Sequence, residues 1–391
     1  MKKVTNAREP VLSGPTASIT PQPFSKKGVT AVMGVRITHP TKDVAGSERG
    51  WRNTTDTLHV HREDRFLEED ILKEPSSRPK KRRTALVVDP YGRQVTGVRV
   101  SVTQKCNLHC FYCHREGEYT SNDDYAEMTP QEMERIIDVT TSFHVRNVKL
   151  TGGEPLMRGD ILEIVERISS LDGISEVSMT TNGTFLRDLA GPLKACGLAR
   201  ANVSLDTLKP KTYQEITGVD AMQKVTSGIK GALEAGLNPI KVNMVLLKGV
   251  NDDEVWSMIE FAERNGVILQ LIELESSKED KFYMKYHSDM SEIENQLKRR
   301  AENITVRSMH HRRKYYLPGD VEVEIVRPMH NTEFCRYCNR IRITSDGKFK
   351  PCLSRSDNLV EFLGPMRDGA STEDLKRLFL ESIRRRRPYF M

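Results

Sequence analysis

From residue 97 onward the chain repeats a unit in which a short run of alternating polar and apolar residues precedes a longer amphipathic stretch. The short runs have the period of two that is typical of β-strands, and they cover 97–103, 147–153, 176–183, 200–207, 240–247 and 267–275. The longer stretches have helical periodicity and include 129–144, 160–171, 221–236 and 252–266. Strands that alternate with helices predict right-handed crossovers and a parallel sheet of six strands.

One face of each predicted strand is polar, and this face indicates what kind of sheet the strands form. The polar positions are Arg99, Ser101, Thr103, Lys149, Thr151, Thr180, Asn182, Asn202, Ser204, Asp206, Lys241, Asn243, Glu273 and Glu275. A sheet covered by helices on both sides needs nearly continuous apolar strands, and a closed eight-stranded barrel fills its interior with branched apolar side chains. The pattern therefore predicts an α/β fold in which an incomplete, TIM-like (β/α)6 barrel with a ligand in its lumen precedes a C-terminal extension.

Composition narrows the function classes. The chain has 391 residues, of which 37% are hydrophobic and 29% are charged, enough for a large domain with a real core. The absence of any run of about 18 apolar residues predicts no membrane span, and the absence of a secretory signal favours the cytoplasm. Clustered cysteines in that compartment indicate metal or redox chemistry. Much of the net charge of +6 lies in the runs 78–83 and 384–387, so no nucleic-acid partner is expected.

The chain divides into three regions. Residues 1–85 lack sustained periodicity and are rich in Ser, Thr, Pro and basic residues, which predicts a mostly disordered N-terminal extension. A functional extension, an organellar leader and a misassigned start all remain open for this segment. Residues 86–310 are predicted to form the partial barrel, and residues 311–391 form a C-terminal region.

Three cysteines, Cys106, Cys110 and Cys113, lie within eight residues directly after the first predicted strand. Active sites of parallel α/β sheets collect at the carboxyl ends of the strands. A structural zinc site needs four ligands and a disulfide framework needs an even number of cysteines. Three thiolates therefore suit an iron–sulfur cluster with one open iron, whereas a zinc site completed by His109 or His114 is the alternative.

A second triple follows in the C-terminal region, where Cys335, Cys338 and Cys352 have the spacing C-x2-C-x13-C. This triple again lacks a fourth cysteine, and a zinc ribbon would need another pair. The remaining cysteine, Cys196, lies near a predicted helix end and is interpreted as a buried structural thiol. The sequence thus contains two independent open cysteine sites.

The motifs around both triples resemble those of a known enzyme family. C-x3-C-x2-C, followed by TGGEP at 151–155 after the second strand, resembles the radical S-adenosylmethionine (SAM) superfamily. FCRYCNRIR at 334–342, with Cys352 separated from Cys338 by thirteen intervening residues, resembles the GTP 3′,8-cyclase family, which catalyses the first step of molybdenum-cofactor biosynthesis. The resemblance covers about 86–380. It implies a [4Fe-4S] cluster at each triple, SAM on the open iron of the first, and the guanine ring of GTP on the second.

The resemblance also implies which residues hold the ligands. For SAM these are Tyr112, through its backbone, Gly153 and Ser204. For GTP they are Arg99, Lys149, Thr180, Lys241, Arg340 and Arg342. A buried triphosphate needs fixed cations or hydrogen-bond donors, which fits five basic residues among these six. No catalytic side chain is expected, because the family uses a 5′-deoxyadenosyl radical to take the 3′ hydrogen of GTP before C3′ attacks C8.

Two departures from the family pattern stand out. Many members end in a Gly-Gly pair that reaches the active site, whereas this chain ends RRRRPYFM. Glu275 occupies a position where bacterial members often have a methionine that contacts SAM, so that contact is not expected here. Neither departure affects a predicted cluster ligand, although an arginine-rich substitute tail, a shorter variant and an altered activity remain open.

The resemblance implies several partners besides GTP. A low-potential electron donor is expected to reduce the first cluster, and cyclic pyranopterin phosphate synthase is expected to use the product. The sequence leaves a homodimer and a monomer open. Two alternative functions are another two-cluster radical SAM enzyme, acting on a peptide or other small molecule, and a zinc-dependent nucleic-acid binder that uses the basic run 78–83.

Overall fold

The computed structural model describes residues 86–118, 127–276 and 280–391. The predicted N-terminal extension, residues 1–85, lies outside these ranges. No helix in the described part combines the length and apolarity needed to cross a bilayer.

Twelve strands and eleven α-helices are found within the described ranges. The strands are β1 (Gly97–Ser101), β2 (Asn147–Thr151), β3 (Glu176–Thr181), β4 (Arg200–Ser204), β5 (Lys241–Leu246), β6 (Ile268–Glu273), β7 (Asn303–Val306), β8 (Arg313–Leu317), β9 (Val321–Val326), β10 (Arg340–Ile343), β11 (Lys348–Lys350) and β12 (Val360–Glu361). The helices are α1 (Pro130–Thr141), α2 (Ile161–Ser169), α3 (Leu186–Ala195), α4 (Pro210–Thr217), α5 (Met222–Glu234), α6 (Val255–Asn265), α7 (Lys281–Tyr286), α8 (Ser291–Arg300), α9 (Thr332–Arg336), α10 (Leu363–Arg367) and α11 (Thr372–Arg384).

All strands belong to one open sheet, in the order β12-β11-β10-β1-β2-β3-β4-β5-β6-β9-β8-β7. The six strands predicted from the period of two are confirmed as β1 to β6, and they are parallel in sequence order. The C-terminal region adds a parallel strand at each edge, because β10 pairs with β1 and β9 pairs with β6. Antiparallel strands then flank both edges. The predicted division at residue 310 stays a prediction.

Local sequence explains where the helices begin and end. Thr129 accepts a hydrogen bond from the backbone N–H of Glu132, whose side chain bonds back to Thr129, so a capping box begins α1. Ser371 and Asp374 begin α11 in the same way. Helix α6 ends at Gly266, which adopts the left-handed conformation with φ of +63° that glycine tolerates best.

Alternation along the strands separates the core from the lumen. The apolar positions, such as Val98, Val100 and Leu150, are fully or almost fully buried in one large core cluster. Eleven of the fourteen polar positions line the concave side, the exceptions being Ser101, Thr103 and Glu273, and strand register aligns them across the sheet. Arg342, Arg99 and Lys149 are direct neighbours on β10, β1 and β2. The register therefore builds a row of three cations at the start of the lumen.

Candidate active site

A cavity of about 370 Å³ occupies the concave side of the sheet. All fifteen residues predicted for the site line it: Arg99, Cys106, Cys110, Tyr112, Cys113, Lys149, Gly153, Thr180, Ser204, Lys241, Cys335, Cys338, Arg340, Arg342 and Cys352. The fold thus brings the two cysteine triples, separated by more than two hundred residues, to the same space. Their individual roles remain predictions.

The first cysteine triple lies in the loop after β1. Backbone N–H groups of Leu108 and Arg115 point at the sulfur atoms of Cys106 and Cys113, at 3.5 and 3.4 Å. The amide Nδ2 of Asn182, from the end of β3, lies 3.9 Å from the Cys106 sulfur. Donors that face the sulfurs stabilise a thiolate, and thiolates are what an iron–sulfur cluster requires.

The TGGEP segment after β2 packs directly on the cysteine loop. The N–H groups of Gly153 and Glu154 donate to the carbonyls of Thr103 and Lys105, both at 2.7 Å. A Cβ on Gly152 would lie 2.2 Å from the Thr103 oxygen, and one on Gly153 would lie 2.2 Å from the Lys105 oxygen. Both glycines are therefore required for two backbones to approach each other.

Glu154 ties this segment to the end of the next strand. Its carboxylate accepts hydrogen bonds from the hydroxyl of Thr181 at 2.7 Å and from the N–H of Asn182 at 2.6 Å. The side chain is fully buried, and burial raises the pKa of Glu154 to about 7 despite these donors. The loops after β1, β2 and β3 thus form one connected layer at the carboxyl ends of the strands.

Tyr112, between the second and third cysteines, is anchored by its side chain. Its hydroxyl donates to Asp206 Oδ2 at 2.5 Å, and Asp206 Oδ1 accepts from the N–H of Val245 at 2.8 Å. Burial raises the pKa of Asp206 to about 6. The tyrosine side chain is therefore committed to the protein, which leaves its backbone for the predicted contact with SAM.

The second triple begins with Cys335 in α9 and Cys338 just after it, and ends with Cys352 beyond β10 and β11. Cys335 and Cys338 form a turn in which the Cys338 N–H faces the Cys335 carbonyl at 3.3 Å. Cys352 follows β11, and its thiol is close enough to the other two for mutual electrostatic interaction. Burial is the main cause that raises the pKa of Cys352.

Both triples supply the thiols that an iron–sulfur cluster requires. All six cysteines are free thiols that line the cavity. In the described part of the chain, no group of three or more His, Cys, Asp or Glu side chains is placed to hold one metal ion. Beside the second triple, the buried Nε of Arg386 has no partner within the described ranges, so an added acceptor such as a cluster sulfide would satisfy it.

The cavity wall is strongly cationic. Ten lysine and arginine side chains line it, against three carboxylates. The cations are Arg93, Arg99, Lys149, Arg200, Lys241, Arg307, Arg312, Arg340, Arg342 and Arg387. Such an excess in a concave, low-dielectric site attracts anions.

Two carboxylates hold part of this wall in place. Glu116 lies between Arg99 and Arg342, at 2.9 and 2.5 Å. Burial opposes its charge, but the two arginines outweigh burial and lower the pKa of Glu116 to about 2. Glu324, which is fully buried, pairs with Lys241 at 2.8 Å and with two further arginines.

Lys149 and Arg340 are different, since neither makes an ion pair within the described residues. The Lys149 ammonium donates only to Asn202 Oδ1, at 2.8 Å, among the contacts that the structure defines for it. Burial and the surrounding cations lower the pKa of Lys149 and that of Arg340. Both side chains are half-buried, and a partly buried cation without a counter-charge is costly, so these two residues mark the place where an anion would bind.

The C-terminal tail also reaches the cavity. Arg387, Tyr389 and Phe390 line it, and the Phe390 ring packs on the His330 ring with centroids 4.7 Å apart. The segment that follows α11 is thus part of the cavity wall.

Two family models match the chain in succession. Residues 100–262 match the model described as Radical SAM superfamily, and residues 267–391 match Molybdenum Cofactor Synthesis C. A third match, described as Putative heavy-metal chelation, covers residues 1–47, outside the described ranges.

Two relatives then decide the family. A probable GTP 3′,8-cyclase of Thermococcus kodakarensis is 48% identical over 311 residues, which are 78% of this chain and 100% of that protein. A probable GTP 3′,8-cyclase of Methanosarcina acetivorans is 48% identical over 319 residues, which are 80% of this chain and 92% of that protein. The chain belongs to the GTP 3′,8-cyclase family. This confirms the resemblance inferred from the cysteine motifs.

The fold agrees with solved radical SAM structures. SuiB of Streptococcus suis bound to S-adenosylmethionine aligns with a TM-score of 0.51 at 18% identity, over 66% of this chain and 60% of that structure. SuiB bound to its precursor peptide SuiA aligns over the same shares, with a TM-score of 0.52. The chain thus spans less than two thirds of SuiB, and at this identity the likeness concerns the fold alone. The predicted α/β fold with a parallel core is confirmed.

Several residues of the cavity are not among the site residues predicted from the sequence. These are Arg93, Glu116, Arg200, Arg307, His310 and Arg312. Arg200 begins β4, two positions before Asn202, so extending the period of two by one step would have found it. Glu116 and the residues between β7 and β8 lie in irregular segments, where no periodicity indicates the side that a residue faces.

Proposed function

We propose that this chain carries out the reaction of its family, the conversion of GTP to 3′,8-cyclo-7,8-dihydroguanosine 5′-triphosphate, in the cavity described above. The observation that carries the proposal is that two separate cysteine triples and ten cations line one cavity. The cluster at the first triple would bind SAM, and the cluster at the second would bind the guanine base. The cations would bind the negatively charged triphosphate.

Cys106, Cys110 and Cys113 would hold the first [4Fe-4S] cluster, and Tyr112, Gly153 and Ser204 would contact SAM beside it. When both are bound, the first cluster and SAM together would supply the 5′-deoxyadenosyl radical that removes the 3′ hydrogen of GTP. The chain's own contribution is position. The hydrogen bonds that connect the three loops after β1, β2 and β3 fix the ligand-bearing backbone before any ligand arrives.

The triphosphate would bind along the row of cations that the strand register creates. Arg99, Lys149 and Arg342 are neighbours in that row, while Thr180, Lys241 and Arg340 complete the predicted set. GTP brings about four negative charges, and charge-assisted hydrogen bonds to fixed cations offset the cost of burying them. Lys149 and Arg340 would gain the most electrostatic stabilisation from a bound triphosphate, because neither has a carboxylate partner within the described residues.

Cys335, Cys338 and Cys352 would hold the second cluster, whose open iron would take the guanine ring. Arg340 and Arg342 lie on β10 directly after Cys338, so a nucleotide at that iron would have two arginines within reach. The expected donor of electrons, the use of the product by cyclic pyranopterin phosphate synthase, the oligomeric state and the cytoplasmic location all stay predictions.

The substitution Cys335→Ala tests the role of the second triple. We expect anaerobically purified Cys335→Ala to lose about half of its iron and all cyclisation of GTP, while SAM still binds at the first triple. The matched control is Cys196→Ala, because Cys196 is the one cysteine of the chain that does not line the cavity. Cyclisation that survives in Cys335→Ala at the level of Cys196→Ala would contradict the proposed substrate site.

A further inference from the structure

The four consecutive arginines at 384–387 do not form a uniform charged patch. The Arg384 side chain is 76% exposed and lies 4.0 Å from Glu381, a contact of the kind common on helix surfaces. The Arg386 side chain is fully buried. A buried guanidinium is costly unless it is paired and hydrogen-bonded, so its partners indicate what it does.

The partners of Arg386 are one carboxylate and the second cysteine triple. Its Nη1 lies 2.9 Å from Asp89 Oδ2, and its Nη2 donates to the carbonyl of Cys338 at 2.9 Å.

Arg93 repeats the arrangement on the neighbouring cysteine. Its Nε lies 2.7 Å from the same Asp89 oxygen, and its Nη1 donates to the carbonyl of Cys335 at 3.0 Å. Asp89 is therefore shared by two arginines, each of which holds the backbone of one cysteine in the Cys335–Cys338 turn. We call Asp89, Arg93 and Arg386 the Asp89 network.

The carboxylate at the centre of this network is placed by a local turn. Asp89 Oδ1 accepts from the N–H groups of Tyr91 and Arg93, both at 3.0 Å. Gly92 closes the turn with φ of +76°, a conformation that favours glycine. The position of Asp89 is thus fixed by the five residues 89–93. The two arginines connect Asp89 to the Cys335–Cys338 turn, which lies more than 240 residues later in the chain.

We propose that the Asp89 network positions the Cys335–Cys338 turn to bind the second cluster, so that Asp89 and Arg386, neither of which lines the cavity, act on the substrate site from behind the turn. The proposal rests on the proposed function, because it requires a cluster at the second triple. Residues that orient metal ligands from behind are known to affect metal retention and activity strongly. Two guanidinium groups against one carboxylate also leave a net positive charge beside the cluster, which favours its reduced form.

The test is the rate at which iron leaves the anaerobically purified holoenzyme in excess chelator, together with the kinetic constants for GTP. In the wild type we expect roughly eight irons per chain, for two clusters. In Arg386→Gln we expect about half of the iron to leave at least tenfold faster than in the wild type, at the low end of the range for lost supporting contacts. The other half should leave at the wild-type rate, and KM for GTP should rise more than kcat falls.

Arg384→Gln is the matched control, since it removes an exposed arginine from the same run, and it should behave as the wild type does. Arg386→Lys keeps the charge but has no planar fork to reach both Asp89 and the Cys338 carbonyl. We expect Arg386→Lys to restore part of the iron retention. A shift of the second cluster to a more negative reduction potential in Arg386→Gln, recovered in Arg386→Lys, would support the network further.

Two results would overturn the inference alone: iron release in Arg386→Gln that matches Arg384→Gln, or equal acceleration of both halves, which a general loss of folding would produce. Wild-type protein that holds iron for one cluster only would overturn the proposed function as well. The two failures are therefore distinguishable.

Discussion

Arg340 is a half-buried cation that has no carboxylate partner within the described residues, and it lies two positions after Cys338. We expect its partner to be the anionic part of GTP. Arg340→Ala should therefore weaken GTP binding by at least about 1.5 kcal/mol, the low end for a charge-assisted hydrogen bond. Anaerobic calorimetry with GTP measures this directly.

Arg377→Ala is the control for that experiment, because Arg377 is 76% exposed on α11 and pairs only locally with Asp374. It should leave the affinity for GTP unchanged. An Arg340→Ala protein with the affinity of the Arg377→Ala control would remove Arg340 from the substrate site.

At the scale of elements, the close contact between the TGGEP segment and the cysteine loop is the feature most sensitive to a small change. Gly153→Ala would place a Cβ 2.2 Å from the Lys105 carbonyl oxygen, so one loop must shift. We expect this shift to destabilise the protein by about 1–3 kcal/mol, as overpacking does, and to reduce the iron and SAM held at the first triple. Denaturant unfolding and SAM binding measure the two effects.

Gly159→Ala is the matched control for Gly153→Ala. Gly159 lies six residues later, and a Cβ there meets nothing within 4 Å. Equal stability and equal SAM binding in the two variants would contradict the claim that close backbone contact requires Gly153.

The six central strands could be predicted from the sequence because polar and apolar residues alternate along each of them, and this alternation is visible in the local sequence. Strand β10 shows where that method stops, since β10 is short and pairs with β1 from 243 positions away, for example Gly97 with Arg340. Periodicity gives the faces of a strand but not its distant neighbour. The resemblance supplied the candidate ligands, whereas the three-dimensional structure was needed to find Glu116 and Arg312 in the cavity.

The run at 384–387 shows the same limit within four residues. The four residues are identical in sequence and would be counted as one block of positive charge, yet Arg386 is buried and Arg384 is exposed. The difference depends on Asp89 and the cysteine turn, which are far away in the chain. No property of the run itself distinguishes its members.

At the scale of the whole molecule, buried carboxyl groups predict how stability depends on pH. Burial raises the pKa of Glu118, which is hydrogen-bonded by the N–H and hydroxyl of Ser345, to about 7. A raised pKa means that the folded state keeps a proton that the unfolded state has released. This contribution to stability is complete below the ordinary pKa of a glutamate and is lost as the pH rises through about 7.

In the wild type, the unfolding free energy should therefore decrease as the pH rises from about 5 to about 8. Glu118→Gln should make this decrease smaller by on the order of 3 kcal/mol. Glutamine keeps a carbonyl oxygen for Ser345 but has no proton to lose. Urea unfolding across this range measures the effect, and the difference from the wild type isolates Glu118 from other titrating groups such as His310. Parallel pH profiles for the two proteins would contradict the prediction.

The proposed function requires that one cavity hold GTP with its C3′ hydrogen within reach of the radical that SAM supplies. The sharpest test is to give the anaerobically reconstituted protein SAM, dithionite and GTP that carries deuterium at C3′. We predict that GTP stimulates the release of 5′-deoxyadenosine, that this product contains the deuterium, and that a cyclised triphosphate forms. Release of unlabelled 5′-deoxyadenosine at the same rate with and without GTP would refute the proposed function and would redirect the search to peptides or other small molecules.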